Sequence, residues 1–411
     1  MVDLAIWLDQ GDLRFRPRGS FQIPGAYGFY KQLLSQAVRH KARWVHWASV
    51  LTQRPAHELD LEAIGCIILG LVQLSAPEDV EPWAAVDESV ELVGWAGKPH
   101  LKPVVNACLR RFQRQQELLE SELTEEQRLS YSKWMLKRWA ENYGPEAAVQ
   151  IAENSNEEPK VWLVSKPEMG DEALAAQLLE AGFKTEVIDG YLCALQPGGL
   201  FKSDLFLKGQ FFVQDPSAQK VSKVAAPYAT GEFLDSCAAP GGKLANLLWN
   251  QNEKITNAVA LEPNPTRMIR LQKNIARLGL EPELIQGEAE FLDAQGSFDF
   301  ILADVPCSAT GTIGKHPEIK WNRKPYDFDH NHKMQVNLVG HLCGQLKPGG
   351  YLLYSTCSLE PEENQQVVEA LLAADLGMTL CPVGEYLDKY LLTLPQPGQS
   401  GSFAALLRRN P

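Results

Sequence analysis

Long apolar runs, paired cysteines and a net positive charge are all missing from this chain of 411 residues. The longest apolar run, AIGCIILGLVQLSA at 63–76, is shorter than the stretch of about 20 residues that spans a bilayer, and it is typical of a buried helix. The first ten residues, MVDLAIWLDQ, contain acids and no basic segment before an apolar core, which argues against a secretory signal. We therefore expect a cytoplasmic protein without a membrane segment.

The eight cysteines are spread along the chain without a CxxC pair or a short Cys/His cluster. This distribution argues against a structural zinc site and against a framework of disulfides. We therefore predict reduced thiols and no bound metal.

A net charge of −12 argues weakly against a nucleic-acid partner, because affinity for phosphates comes from Lys and Arg. The local distribution of charge matters more than the total. Two basic groups stand out, at Arg14, Arg16, Arg18, Lys31, Arg39, Lys41 and Arg43, and at Arg110, Arg111 and Arg114. A solvated helix face is the ordinary explanation for each group, but both are compatible with an RNA partner.

The chain is long enough for two or three domains. Residues 1–143 show apolar residues at helical spacing, and the break at Tyr143-Gly144-Pro145 predicts a domain edge. Residues 146–208 read as a small α/β subdomain with strands at KVWLVS and KTEVI around the helix GDEALAAQLLEAG. From 209 to 411, short apolar strands alternate with amphipathic helices, which predicts an α/β fold with a mostly parallel, doubly wound sheet.

Ligands of such sheets bind beyond the carboxyl ends of the strands. The first strand leads into DSCAAPGGK at 235–243, where small residues and two glycines allow close approach of a ligand to a helix N-terminus. The second strand ends in Glu262, an acid suited to accepting hydrogen bonds from ribose hydroxyls. Glu288 follows the third strand, where contact with an adenine edge and plain exposure to solvent are equally good interpretations.

Two thiols occupy the next two strand ends, in Asp304-Val305-Pro306-Cys307 and in Thr356-Cys357-Ser358. A single free cysteine is most often an inert core residue. Metal ligation is disfavoured because no histidine lies near either cysteine at ligand spacing. Two thiols on the ligand-binding edge instead favour nucleophilic catalysis by a thiolate.

Taken together, these stretches resemble the RNA cytosine-C5 methyltransferases that use S-adenosylmethionine, and most specifically the bacterial RsmB (Sun/Fmu) group that acts on small-subunit ribosomal RNA. The resemblance covers about residues 30–395. It rests on CAAPGGK at 237–243, on DVPCSATG followed by HPEIKW at 304–321, and on YSTCSLEPEEN at 354–364. In addition, AAVDESVELVGWAGKPHLKPVVNACLRR at 84–111 is similar to the helical NusB-like RNA-binding domain of this group.

The resemblance implies a Rossmann-like class I methyltransferase domain at 209–411, preceded by the α/β subdomain and by an all-α NusB-like domain at 1–143. It implies that S-adenosylmethionine is bound by Cys237, Ala238, Ala239, Pro240, Gly241, Gly242, Lys243, Glu262, Arg267, Glu288 and Asp304. It further implies that Asp304 lies between cofactor and base, that Cys357 is the nucleophile and that Cys307 helps to release the product.

The chain departs from the family pattern at several positions. Glu262 and Glu288 stand where aspartate is more usual, and Gly314-Lys315 replaces an arginine pair. Ser400 and Ser402 stand where Asp and Phe are expected. These departures affect the choice of RNA rather than the class of reaction.

The expected activity is methyl transfer to C5 of a cytosine in 16S rRNA through a covalent Cys357–C6 intermediate, by a monomer. Two alternatives stay open: the same chemistry on tRNA or another rRNA site, and a non-catalytic RNA-binding assembly factor that keeps a cofactor pocket. A DNA cytosine methyltransferase fits poorly, because those enzymes place the nucleophile in a Pro-Cys motif and need a Glu-Asn-Val motif that this sequence lacks.

Overall fold

A computed structural model describes residues 26–76, 80–251, 253–383 and 388–411. The chain forms two compact units, one ending at Asn156 and including His316–Arg323, the other comprising Glu157–Lys315 and Lys324–Pro411. Three basic residues of the first predicted group, Arg14, Arg16 and Arg18, lie outside the described residues. Within the described ranges, no helix has the length and apolarity needed to cross a membrane.

The first unit is helical, as predicted. Its most buried helix, Leu61–Ser75, begins at Asp60, whose carboxylate accepts hydrogen bonds from the backbone N–H groups of Glu62 and Ala63. The helices are Ala26–Arg39, Lys41–Thr52, Leu61–Ser75, Pro82–Trp95, Lys102–Ser121, Glu125–Leu129, Lys133–Tyr143 and Pro145–Asn154.

The domain edge predicted at Tyr143-Gly144-Pro145 is a turn between two helices of this unit. Pro145 starts the second helix, at a position where the missing N–H of proline costs nothing. The compact unit therefore extends to Asn156. The glycine–proline break correctly predicts the end of a helix, but a helix end need not be a domain end.

Residues 316–323, which the sequence assigned to the methyltransferase domain, also belong to the helical unit. Lys320 is fully buried there, and its ammonium group donates to Asn156 Oδ1 at 2.7 Å and lies 4.1 Å from the centre of the Tyr131 ring. The indole of Trp321 donates to the carbonyl of Val38 at 2.8 Å. The lysine and tryptophan of HPEIKW thus serve packing within this unit.

The second unit begins with a four-stranded antiparallel sheet in the order β2-β3-β1-β4. Its strands are β1 (Val161–Ser165), β2 (Thr185–Ile188), β3 (Tyr191–Ala194) and β4 (Phe211–Val213). The helix Gly170–Glu180 packs on the sheet through Leu174 and Leu178, which are fully buried. The short helix Asp204–Leu207 precedes β4.

A larger sheet follows in the order β10-β12-β9-β8-β5-β6-β7, with β11 paired to β12. Its strands are β5 (Gly231–Asp235), β6 (Ile255–Leu261), β7 (Glu283–Ile285), β8 (Phe298–Asp304), β9 (Leu346–Thr356), β10 (Met378–Cys381), β11 (Leu391–Thr393) and β12 (Ser402–Arg409). The helix Pro216–Ala225 precedes β5, and the helices between the strands are Gly242–Gln251, Pro265–Arg277, Pro325–Gln345 and Gln365–Ala373, while the short helix Ile319–Asn322 belongs to the helical unit.

The strands β7, β6, β5, β8 and β9 run parallel, and β12 pairs antiparallel with β9. The central strands are nearly continuous apolar runs because both faces of a parallel sheet are covered. The prediction of a mostly parallel, doubly wound sheet is confirmed. Since parallel strands end at the same edge, Asp235, Glu262, Asp304 and Thr356 are brought to one side of the unit.

Candidate active site

The loop after β5 is held in a tight turn by its own backbone and by the helix Pro265–Arg277. The N–H of Gly241 donates to the carbonyl of Ala238 at 2.7 Å, and Arg267 and Asn274 donate to the carbonyls of Ala239 and Pro240 at 2.7 and 2.9 Å. Gly241 has a φ of +102°, where a side chain would be strained and its Cβ would come within 2.9 Å of Leu271. The glycine predicted for close approach is therefore required by the turn.

Glu262 follows β6 directly, and its side chain is buried. One carboxylate oxygen accepts from the backbone N–H of Asn264 at 2.9 Å. The other, Oε2, lies 3.4 Å from the guanidinium of Arg267 and accepts no hydrogen bond from any residue that the structure describes. A buried carboxylate oxygen without a donor is uncommon and suits the hydroxyl groups of a ligand. Glu288 follows β7 and is exposed.

The two predicted thiols meet. The sulfur atoms of Cys307 and Cys357 lie 3.3 Å apart, although the residues are 50 positions apart in sequence. The loops that carry them are joined by the N–H of Gly311, which donates to the carbonyl of Cys357 at 2.9 Å. A Cβ at position 311 would lie 2.8 Å from that carbonyl oxygen, so only glycine permits this approach.

A buried carboxylate, Glu363, ties the two cysteine loops together. One oxygen accepts from the backbone N–H of Ser308 at 2.7 Å and from Asn331 Nδ2 at 2.6 Å. The other accepts from the hydroxyls of Ser308 and Ser358. Each loop therefore donates to the same side chain, which fixes the distance between the residues that precede these serines.

Asp304, at the end of β8, is held by two donors. Its Oδ2 lies 2.7 Å from the ammonium group of Lys243, and its Oδ1 accepts from the hydroxyl of Ser355 at 2.7 Å. Lys243, the last residue of CAAPGGK, thus points to the end of β8. Asp304 and Lys243 are both partly exposed to the cavities described next.

The pKa values of the three thiols near this site are shifted from the ordinary value in different directions. The Cys307 thiol donates to Cys357 and, with help from the charge of Lys243, lowers the pKa of Cys357 despite its burial. The same contact, together with burial, raises the pKa of Cys307 well above its ordinary value. Burial raises the pKa of Cys237 to about 12. Of these three thiols, Cys357 is therefore the one that ionises most readily.

Two cavities meet at the thiol pair. The larger, about 450 Å³, is lined by Glu262, Arg267, Glu288 and Cys307 among others. The smaller, about 310 Å³, is lined by Pro240, Gly242, Lys243, Lys315 and Ser400 among others. Both contain Cys237, Ala239, Asp304 and Cys357. A group bound in one cavity can thus approach a group bound in the other beside the sulfur of Cys357.

Two of the departures from the family pattern, Lys315 and Ser400, line the smaller cavity. Asp215 is buried there and accepts from the ammonium of Lys315 at 2.6 Å and from the backbone N–H of Ser400 at 3.1 Å. The charge of Lys315 lowers the pKa of Asp215 against the effect of burial. The hydroxyl of Ser402 donates to the carbonyl of Ser217 at 3.3 Å. Lys315, Ser400 and Ser402 therefore belong to one polar hydrogen-bonded group around Asp215 and Ser217.

All predicted site residues lie at this edge of the sheet. Ala238 is buried, and its N–H donates to the carbonyl of Leu261 at 2.9 Å, so it mainly supports the loop.

Three residues of the site were not predicted from the sequence: Glu363, Asp215 and Asp235. Burial and the neighbouring charge of Asp304 raise the pKa of Asp235 to about 7. Asp235 could have been found by the rule that selected Asp304, because it too ends a parallel strand. Glu363 lies in the acidic run EPEEN, where no pattern marks which acid is buried.

Comparison with known proteins agrees with this geometry. Residues 223–407 match the family of 16S rRNA methyltransferase RsmB/F, and residues 23–114 match the NusB family. Ribosomal RNA small subunit methyltransferase B of Klebsiella pneumoniae subsp. pneumoniae is 36% identical over 353 residues, which are 84% of this chain and 81% of that protein. The protein of the same name from Escherichia coli O1:K1 / APEC is 35% identical over 367 residues, 87% and 83% of the two chains.

Two crystal structures have a similar fold. PH0851 has a TM-score of 0.77 at 19% identity, covering 95% of this chain and 92% of that chain. A methyltransferase homolog protein from Pyrococcus horikoshii has a TM-score of 0.59 at 26% identity, covering 70% and 99%. Because the identity to the rRNA methyltransferases exceeds one third over most of both chains, this chain belongs to the RsmB/F family of 16S rRNA methyltransferases, whose methyl donor is S-adenosylmethionine.

Proposed function

We propose that this protein transfers a methyl group from S-adenosylmethionine to C5 of a cytosine in small-subunit rRNA, through a transient bond between Cys357 Sγ and C6 of the base. The observation that carries this proposal is the pair of sulfurs 3.3 Å apart where two cavities meet. A non-catalytic assembly factor has no need of a thiolate at that point.

The larger cavity suits the cofactor. Glu262 Oε2, which accepts no hydrogen bond from the described residues, would accept from the ribose hydroxyls, and Glu288 would meet the adenine edge. Residues 237–243 would enclose the amino-acid end, with Arg267 holding both their backbone and Glu262. Bound S-adenosylmethionine supplies a methyl group on a sulfonium, which is electrophilic.

The smaller cavity suits the target cytosine, which must leave its stack to enter. C5 of cytosine is a weak nucleophile because its electrons belong to an aromatic ring. The Cys357 thiolate adds to C6, forming an S–C6 bond and moving the electron pair of the C5–C6 double bond towards C5 and the ring's N3 side. The ammonium group of Lys243 offsets the negative charge that develops on that edge of the ring, and Asp304, held by Lys243, orients the base by accepting a hydrogen bond from its N4 amino group. C5 then has the electron density that accepts a methyl group.

Release of the product needs a good leaving sulfur. After methylation, C5 carries both the methyl group and its original hydrogen. Loss of that proton to water or a carboxylate re-forms the C5–C6 double bond and expels Cys357 as a thiolate. Cys307 stays protonated because of its raised pKa, and its thiol donates to the departing sulfur. Cys307 therefore acts after methyl transfer, and Cys357 before it.

The decisive experiment incubates the protein with labelled S-adenosylmethionine and with transcripts of 16S rRNA or tRNA, followed by mass spectrometry of the nucleosides. We expect 5-methylcytidine in the 16S transcript for the wild type and none for Cys357→Ala. Cys307→Ala should accumulate a protein–RNA adduct that survives denaturing electrophoresis, because its leaving step is slow.

RNA containing 5-fluorocytidine gives a second test, since fluorine at C5 cannot leave as the proton does. Wild type and Cys307→Ala should both form the adduct with this RNA, while Cys357→Ala should form none. Cys381→Ala, which removes a free thiol that lines neither cavity, is the matched control and should behave as wild type. Equal methylation by wild type and Cys357→Ala would exclude the mechanism, and label in tRNA alone would change the substrate.

A further inference from the structure

A third cavity, here called the aromatic pocket, lies on the other side of the CAAPGGK loop. It has a volume of about 200 Å³ and contains three phenylalanines, Phe201, Phe206 and Phe212. Phe201 is 44% exposed, which is a large apolar surface to leave in water beside two other rings. Phe201 and Phe206 already meet edge to face, with centroids 5.3 Å apart.

The aromatic pocket is a neighbour of the smaller cavity proposed for the target base. Both are lined by Val213, Pro240 and Gly242. Val213, on β4, is itself 42% exposed. A chain that places one residue in the smaller cavity therefore passes this pocket with its next residue.

The border of the aromatic pocket is basic. The guanidinium of Arg277 lies 3.8 Å from the centre of the Phe206 ring and donates to the carbonyls of Phe206 and Phe211 at 2.7 and 3.0 Å. Its Nε is buried and bonded to no residue that the structure describes. Arg270, seven positions earlier on the same helix, shares this helix face and is exposed. Aromatic rings beside arginine are the elements that bind single-stranded nucleic acid.

We infer that the aromatic pocket binds the nucleobase next to the target cytosine, by stacking on Phe201, with the RNA backbone passing Arg270. This inference rests on the proposed function, because flipping the cytosine out leaves its neighbour without a stacking partner. Phe201 replaces that partner, and every base can stack, so the pocket recognises an unstacked single strand rather than a particular sequence.

The test uses the full-length protein and a short single-stranded RNA centred on the cytosine that the transcript experiment identifies, with an abasic ribose at each flanking position in turn. Affinity is measured by fluorescence anisotropy and methylation by label transfer. On intact RNA, we expect Phe201→Ala to weaken binding about tenfold, the loss typical of one stacked base. Phe201→Trp should restore it.

The abasic RNAs separate stacking from a general loss of fit. When the stacked base is already missing, Phe201→Ala should change the affinity less than twofold, and only one of the two flanking positions should show this effect. Leu179→Ala is the matched control, since Leu179 is 63% exposed in the same unit and lies outside the pocket. Because Phe201 is 44% exposed, Phe201→Ala should lower the melting temperature only slightly, by the loss of its contact with Phe206.

An equal loss with Phe201→Ala on all RNAs, or no loss on any, would overturn the inference. The failure of the stacking and the failure of the proposed function are distinguishable. If the transcript experiment identifies a methylated cytosine but Cys357→Ala methylates it as well as wild type does, the proposed covalent mechanism fails, while the coupling between Phe201 and the abasic position still decides the stacking.

Discussion

At the scale of single residues, the proposed reaction depends on which of two neighbouring sulfurs carries a proton. The hydrogen bond from Cys307 lowers the pKa of Cys357, so the Cys357 thiolate exists at a lower pH than an ordinary thiol. Cys307→Ala removes the donor and should raise that pKa, moving the rise of the Cys357 alkylation rate to higher pH. Mass spectrometry after iodoacetamide treatment over a pH series measures it. Cys381, whose pKa is raised by burial, is the internal reference, and an unchanged Cys357 profile would contradict the assignment.

Asp235 makes the folded state sensitive to pH in the opposite way from a salt-bridged acid. Its pKa is raised to about 7, so in the folded protein it keeps a proton that the unfolded chain releases near pH 4. The unfolded state therefore binds fewer protons between these values, and this group lowers stability as pH rises from about 4 to 7. Asp235→Asn should raise the melting temperature at pH 8 and leave it nearly unchanged at pH 4.5.

Asp299→Asn is a useful control for that experiment. The hydrogen bond from Lys347 lowers the pKa of Asp299, so the charged form stabilises the fold, and its substitution should lower the melting temperature at pH 8. If Asp235→Asn lowered it as well, the carboxylate would be ionised in the folded protein.

At the scale of elements, the site consists of loops that different strands deliver to one edge, and Glu363 couples two of them. Glu363→Ala would remove the acceptor of four donor groups, among them the buried N–H of Ser308, although the two serine hydroxyls can still pair with each other, and it should destabilise the protein by about 2–4 kcal/mol. Glu363→Gln keeps the shape and one oxygen, and the serine hydroxyls can rotate to accept, so it should cost far less. Urea unfolding measures both.

The role of Glu363 in positioning has its own readout. Two thiols 3.3 Å apart form a disulfide readily when the oxidant diamide is added, and a loop that shifts separates them. Glu363→Ala should slow this disulfide, while Glu363→Gln should stay close to wild type. Glu362→Gln, on the same turn but partly exposed, is the matched control. If the alanine variant formed the disulfide at the normal rate, Glu363 would be a stabilising residue only.

The strand ends of the large sheet can be predicted from the sequence, but the packing of the turns between elements cannot. Parallel strands all end at one edge, so strand ends alone bring Glu262, Asp304, Cys307 and Cys357 into one prediction. Glu363 is not predicted, because its burial depends on how the turn Pro361–Glu363 packs against the helix Pro325–Gln345. The spacing of residues within the turn contains no information about that packing. The predicted unit boundary comes too early for a related reason. Gly144-Pro145 ends one helix and starts another, and only packing decides whether the second stays with the first.

At the scale of the whole molecule, an acidic protein that acts on RNA must separate its charges. The net charge is −12, yet Arg110 and Arg114 are both exposed on the helix Lys102–Ser121, one turn apart on the same face. Arg114 borders a groove of about 1170 Å³ together with Arg43 and Trp47. This groove belongs to the helical unit, which includes the residues that match the NusB family. Because Glu117 and Glu120 also line this groove and Arg43 is paired with Glu120, we predict that Arg110 and Arg114 make the phosphate contacts of this unit.

That surface predicts a specific dependence on salt. Removing one cation that neutralises a phosphate should reduce the slope of log affinity against log salt concentration by about 0.7–0.9, so the double variant Arg110→Gln/Arg114→Gln should flatten it by about 1.5 for a 16S rRNA transcript. Cofactor affinity and alkylation of Cys357 should not change, because both belong to the other unit. Lys137→Gln is the matched control, since Lys137 is exposed in the same unit but paired with Glu141. An unaltered slope in the double variant, measured by filter binding from low to physiological salt, would show that the RNA is held elsewhere.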